Sequence, residues 1–181
     1  GLDGGQGLTI QVQTATPDLL YDTGPAFSAD ADSGNRIIVP FLRAIGVRRL
    51  DALVVSHQDK DHEGGAGAVL DAVPTGLLLS SVPRTHPLAA TPLPPRRCAD
   101  GEAWEWDGVR FEMLHPVEAD YASARKSNAL SCVLKVSAPG GALLLTGDIE
   151  AKEEAALLGR HGDRLAADVL LPPHHGSRSS S

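Results

Sequence analysis

Residues 52–65 read Ala-Leu-Val-Val-Ser-His-Gln-Asp-Lys-Asp-His-Glu-Gly-Gly. Ala52–Val55 is short and wholly apolar, as a strand is when both faces of its sheet are covered. Four metal-capable side chains, His57, Asp59, Asp61 and His62, follow it within six residues. A segment leaving a strand end can turn several of these inward together. Gly64-Gly65 lets the backbone bend sharply before a following helix. Imidazole and carboxylate together suit zinc, manganese or iron. In another setting the same residue types would form a solvated loop.

Two later segments repeat the arrangement of apolar strand followed by polar ligands. Leu143-Leu144-Leu145-Thr146-Gly147-Asp148 delivers Asp148, and Val169-Leu170-Leu171-Pro172-Pro173-His174-His175-Gly176-Ser177 delivers two adjacent histidines. Thr-Gly-Asp alone is a weak signal and equally a helix cap. Three such segments in 181 residues are far more specific than any one.

The rest of the chain predicts alternating elements. Leu8–Gln13 alternates as a half-buried strand, and Pro17-Asp18 turns into a partner at Leu19–Tyr21. Ile37, Ile38, Phe41, Leu42 and Ile45 share a helical face between a cap at Asn35 and a stop at Gly46. A second helix is expected over 66–73 and a buried strand over 77–79. Five prolines over 83–95 predict a surface loop. Residues 104–114 read as a hairpin about Asp107-Gly108. Residues 116–128 read as a polar loop, 130–136 and 142–145 as strands, 151–158 as a helix and 169–171 as a last strand. The order implies one layered α/β (α+β) domain over 1–181 with mixed sheets.

Composition bounds the reading. Hydrophobic residues at 42% and charged residues at 22% exclude wholesale disorder. No apolar run approaches the roughly 20 residues that cross a bilayer, and the opening Gly-Leu-Asp-Gly-Gly-Gln-Gly carries no signal-peptide pattern. The chain is therefore expected to be soluble as given. Sixteen basic against 23 acidic residues give −7, which by itself argues against a nucleic-acid binder. Two divalent cations among the acids would add four positive charges and leave −3. Twelve of the basic residues are Arg, the better phosphate fork. Cys98 and Cys132, 34 residues apart, form no metal-type pair, and their pairing stays open. Cys132 lies in an apolar run and reads as a small core residue.

His-x-Asp-x-Asp-His, Thr-Gly-Asp and His-His-Gly-Ser together resemble the metallo-β-lactamase superfamily. Its first motif is usually His-x-His-x-Asp-His, and here Asp59 replaces the second His. That replacement, with Gly5-Gln6-Gly7, Tyr21-Asp22-Thr23-Gly24-Pro25 and Asn128…Ser131, resembles the C-terminal domain of ComEC-type DNA-internalisation (competence) proteins over residues 2–181. The chain departs from the pattern at Gly4, where an apolar residue is usual. It also stops at Ser181, where that domain continues with further strand and helix, so an excised, shortened domain is expected.

The resemblance implies an αβ/βα sandwich with two divalent metal ions, manganese or zinc, at one edge. His57 and Asp59 would hold one ion. Asp61, His62 and a His from the last motif would hold the other, with Asp148 bridging. His175 is favoured over His174 because it precedes Gly176. Asn128 occupies about the place of the third-motif His, as a weak ligand or substrate contact, with His115 the alternative, though His115 reads first as a simple loop histidine beside Pro116. Asp61 would also accept the proton of the attacking water, so Asp61, His62 and Asn128 form the catalytic set. Asp22 would order the surrounding segments.

The implied activity is a metal-dependent phosphodiesterase that degrades the non-imported DNA strand. It would use no small-molecule cofactor. Single-stranded DNA and the membrane channel of the same full-length protein would be its partners. Its place would be the outer side of a bacterial inner membrane. The alternatives are a hydrolase of small phosphoesters or other esters, and a non-catalytic metal- or DNA-binding domain. Among the remaining residues, His86 and His161 are expected at the surface. Arg36, Arg43, Arg48 and Arg49 form either a solvated face or a phosphate path, and Arg125-Lys126 flanks the presumed site. Trp104 and Trp106 read as sheet cover ahead of base-stacking platforms.

Overall fold

Burial alternates along the strands, and this alternation builds the layers. In a computed structural model describing residues 2–3, 8–14, 17–22, 39–57, 65–123 and 126–171, the strands form two sheets. The first runs, in spatial order, β1 (Leu2–Asp3), β2 (Leu8–Gln13), β3 (Asp18–Asp22), β4 (Ala52–Val55), β5 (Leu78–Ser80) and β6 (Arg96–Arg97). β1–β2 and β2–β3 pair antiparallel, whereas β3, β4, β5 and β6 run parallel to one another. The second sheet contains β7 (Ala103–Trp106), β8 (Val109–His115), β9 (Val133–Ala138), β10 (Gly141–Leu145) and β11 (Val169–Leu171). Its pairs are antiparallel except β10–β11, which is parallel.

Ala52 and Val54 point into the space between the sheets with Leu19, Tyr21 and Leu79, and meet Phe111, Met113, Leu134 and Leu145 of the second sheet. Leu53 and Val55 point the other way with Leu20 and Leu78. There they meet α1 (Val39–Ala44) through Val39 and Leu42, and α2 (Gly65–Ala72) through Ala66 and Val69. This is why Ala52–Val55 has no polar position. On the far side, Leu114, Val133 and Leu144 pack on Leu157 of α4 (Ala151–His161), which follows the short α3 (Asp120–Ser123). The result is the αβ/βα sandwich that the resemblance implies.

Most boundaries follow local chemistry. Pro40 is tolerated in the first turn of α1, and Gly46, at φ +83°, ends it; residues 35–38 of the expected helix lie outside the described residues. Glu150 and Glu153 form a capping box at the start of α4, which continues three residues beyond its expected end. Asp107 (φ +52°) and Gly108 (φ +80°) make the tight turn of the β7–β8 hairpin. Trp104 stacks on Phe111 with centroids 5.3 Å apart, and Trp106 tilts against it at 4.9 Å, so both are sheet cover.

Four expectations change. The polar loop expected over 116–128 holds α3. β9 begins at Val133, not at 130, because a 3₁₀ turn over Ser127–Leu130 precedes it. The proline-rich 83–95 segment is no simple surface loop. It holds a 3₁₀ turn, Pro87–Ala90, with Leu88 buried and the His86 Nδ1 accepting from the Leu88 amide at 3.1 Å. His86 is therefore a buried capping residue. The two-residue β6 had no sequence signal, since two exposed arginines carry no alternation.

Candidate metal centre

Because β3, β4, β5 and β6 are parallel, their carboxyl ends share one rim of the first sheet, the edge where α/β sheets place ligands. β4 delivers Ser56-His57 there, and β10 of the second sheet delivers Thr146-Gly147-Asp148. His57 and Asp148, 91 positions apart, meet with Nε2 and Oδ2 separated by 3.2 Å, and both side chains are more than nine-tenths buried.

Neighbouring backbone and hydroxyl groups set this geometry. The Ser56 hydroxyl lies 2.9 Å from His57 Nδ1. When Nε2 offers its lone pair, Nδ1 carries the proton and donates it to Ser56 Oγ, which fixes the ring plane. The Ser131 hydroxyl accepts from the Asp148 amide at 3.1 Å. Gly147, at φ +59°, lies against both serines: an added Cβ would fall 2.7 Å from Ser131 Cβ and 3.3 Å from Ser56 Cβ. Only a glycine lets the chain pass here and turn the aspartate inward.

Cys132 ties the sheets together beneath this corner. Its amide donates to the Ser56 carbonyl at 2.8 Å, and its carbonyl accepts from the Tyr21 hydroxyl at 2.6 Å. Its sulfur bonds to Cys98, just beyond β6. The pairing left open by the sequence is thus a disulfide within the inter-sheet core. Ser81 Oγ also donates to the Ser56 carbonyl, at 3.0 Å.

The remaining expected residues divide clearly. Asp59, Asp61, His62, His174 and His175 lie outside the described residues. Asn128 sits on the 3₁₀ turn Ser127–Leu130, which leads into Ser131. The Asp22 backbone pairs in register with Val55, two residues before His57. His115 is no loop residue. It ends β8 buried, with Nε2 2.8 Å from the Ala129 carbonyl and Nδ1 3.4 Å from an Arg160 guanidinium nitrogen, so neighbouring groups hold both ring nitrogens. Burial pushes its pKa down, outweighing the Ala129 carbonyl and the Asp120 charge. His161, expected at the surface, is instead buried against Asp100, Nε2 to Oδ1 2.9 Å. Arg48 and Arg49 precede β4 and so stand at the end of the strand opposite His57, where Arg49 faces Asp51 at 3.7 Å.

The donors fit a divalent cation. Two ligands about 2.0–2.1 Å from one tetrahedral ion lie roughly 3.3 Å apart, close to the observed 3.2 Å. No group of three ligating side chains occurs among the described residues. Ser56 and Ser131 are the site residues without an assigned sequence role. Their signal is small polar side chains flanking a ligand at strand ends, which is common elsewhere too.

Comparison with known proteins agrees with this architecture. The family model for the metallo-β-lactamase superfamily matches residues 2–181. The chain is 46% identical over 179 residues to Competence protein ComA of Neisseria gonorrhoeae, and 34% identical over 183 to Recombination protein 2 of Haemophilus influenzae. These alignments take in 99% of this chain but 24% and 21% of those proteins, so the chain spans under a quarter of their length. Among solved structures, a metallo-β-lactamase variant from Cronobacter sakazakii superposes with TM-score 0.59 at 18% identity, covering 93% of this chain and 74% of that one. The class B3 di-zinc enzyme LRA-12 from an Alaskan soil metagenome gives 0.58 at 15%, covering 91% and 70%. From the layered sheets to the rim where His57 meets Asp148, this chain belongs to the metallo-β-lactamase superfamily.

Proposed function

We propose that the chain is a metal-dependent nuclease domain of a competence DNA-uptake protein, hydrolysing the strand that is not imported. The observation that carries this reading is the buried approach of His57 to Asp148 on the rim, joined to the likeness to Competence protein ComA. A pair of divalent cations, when bound, supplies hydroxide near neutral pH and offsets charge on the phosphoryl oxygens.

His57, Asp59, Asp61, His62, Asp148 and His175 (or His174) would hold the ions. Asp61 orients the attacking water and takes up its proton. Asn128 contacts the phosphodiester. Ser56 keeps the His57 ring in plane, and Ser131 holds the Asp148 backbone. Asp59 in place of a second histidine hardens the donor set, which favours manganese at least as well as zinc.

The disulfide supports a location on the outer side of an inner membrane, because such bonds persist in oxidising compartments. Its relatives' greater length leaves room for a membrane channel in the same polypeptide. Among the described residues no helix is long and apolar enough to cross a bilayer.

The test is cleavage of labelled single-stranded DNA after chelation and reloading with Mn²⁺ or Zn²⁺, with Asp61→Ala alongside. Mn²⁺ is expected to serve at least as well as Zn²⁺, and the variant to lose roughly 10²–10⁴-fold. Hydrolysis of p-nitrophenyl phosphate without DNA cleavage would favour the small-ester alternative. Metal or DNA binding with no hydrolysis would favour the non-catalytic one.

A further inference from the structure

A cleft of about 450 Å³ opens at the carboxyl ends of β5 and β6. Its lining includes Ser80, Val82, Pro83, Arg84, Arg97 and Glu118. Ser80 ends β5 in register with Val55, and its neighbour Ser81 bonds to the Ser56 carbonyl. β6, which carries Arg97, lies one strand further out, so the arginine stands two strand spacings, about 10 Å, from β4. The cleft therefore lies along the strands next to β4, which leads into His57.

Its charge opposes that of the chain. Two guanidinium groups face one carboxylate in a protein of net charge −7. Arg84 is exposed and forms no ion pair with a described residue. Arg97 pairs with Glu118 at 3.1 Å, but the Glu118 side chain is 71% exposed, and an ion pair so open to water is readily exchanged. The Arg97 guanidinium also lies 4.1 Å over the Tyr121 ring, and the Tyr121 hydroxyl is anchored on the Cys98 carbonyl at 2.6 Å. The aromatic shelf holds the fork in place before any anion arrives. Pro83, Pro94 and Pro95 add stiff apolar walls.

We propose that this cleft is a phosphate-backbone subsite for single-stranded DNA, with Arg84 and Arg97 gripping phosphates next to the one being cleaved. The inference rests on the nuclease reading and narrows it to a polymeric substrate: a small diester would occupy the metal centre without reaching the arginines. A volume of this size suits one nucleotide-sized segment, within the range of small-ligand sites.

The experiment compares the parent chain with Arg84→Ala and with Arg84→Glu/Arg97→Glu. Anisotropy of fluorescent dT20 is measured across a salt series in chelator, and hydrolysis of bis(p-nitrophenyl) phosphate is measured with Mn²⁺. The double variant is expected to bind dT20 at least about tenfold more weakly, with the salt slope shallower by about 0.7 for each phosphate that an arginine no longer neutralises. Arg84→Ala, which removes no bonded partner, is expected to show the effect of one such phosphate at unchanged melting temperature. Small-diester hydrolysis is expected to stay at the parent rate. Equal dT20 affinity and slope in all three proteins would overturn the proposal, as would an equal loss of small-diester hydrolysis in Arg84→Ala. A parent that hydrolyses the small diester but binds no dT20 defeats the cleft and leaves the hydrolase. A parent that binds dT20 through the arginines but hydrolyses nothing supports the cleft and defeats the nuclease.

Discussion

Gly147 shows how much of the candidate centre rests on a single missing side chain. Its left-handed φ of +59° and the 2.7 Å approach of Ser131 Cβ leave no room for alanine. Gly147→Ala is expected to lower stability by at least about 1–2 kcal/mol from the backbone conformation alone, read as a lower urea midpoint. An unchanged midpoint would mean that the turn relaxes freely. The same substitution is expected to shift Asp148 away from His57. The ligand types at these positions were legible, because His57 and Asp148 each follow an apolar strand directly. The two serines were not, since a hydroxyl beside a ligand gains its role only when strands distant in sequence converge. His86 and His161 misled for the opposite reason: a histidine in a proline-rich or polar stretch looks solvated until a turn amide or Asp100 is placed against it.

At the scale of elements, the disulfide joins the exit of β6 to the entry of β9 and so clamps one sheet to the other. Closing a loop across 34 positions restricts the unfolded chain by about 3–4 kcal/mol on the chain-entropy account. Cys98→Ser or Cys132→Ser is expected to lower unfolding stability by that order, and a reducing agent to do the same to the parent. If reduced and oxidised protein unfold at one urea concentration, the clamp carries no weight. The strands were legible where their burial pattern is extreme, as in β4, or strictly alternating, as in β2. β6 was not, because its pairing with β5 comes from neighbours and not from its own two arginines. The start of β9 was missed because the 3₁₀ turn at 127–130 is built on the His115 side chain, which bonds the Ala129 carbonyl.

For the whole molecule, the network around His115 is an expected source of acid sensitivity. Arg160 of α4 donates to the Leu114 carbonyl at 2.9 Å and faces Asp100 at 3.4 Å, while Asp120 stands 3.9 Å from the His115 ring. Burial holds the folded-state pKa of His115 below its ordinary 6.5. Above about pH 6.5 neither folded nor unfolded chain binds the proton, and the stability is fully present. As pH falls below that value the unfolded chain takes up a proton that the folded chain refuses, so stability drops, by at most about 1.4 kcal/mol per pH unit. Melting temperatures from pH 7.5 to 5 are expected to decline less in His115→Gln than in the parent, and parallel curves would remove His115 from the account. The layered architecture was legible from the order of elements and three motifs. The cross-links between α4, β8 and the 116–130 segment were not, because they join side chains through space with no periodicity to announce them. One consequence follows from four neighbouring strands that all point the same way. Each ends at a common front with its own extension, so any one extension can be lengthened or given new donors while the pairing behind it stays intact. Such a framework lets a lineage trade one chemistry for another without having to relearn how to fold.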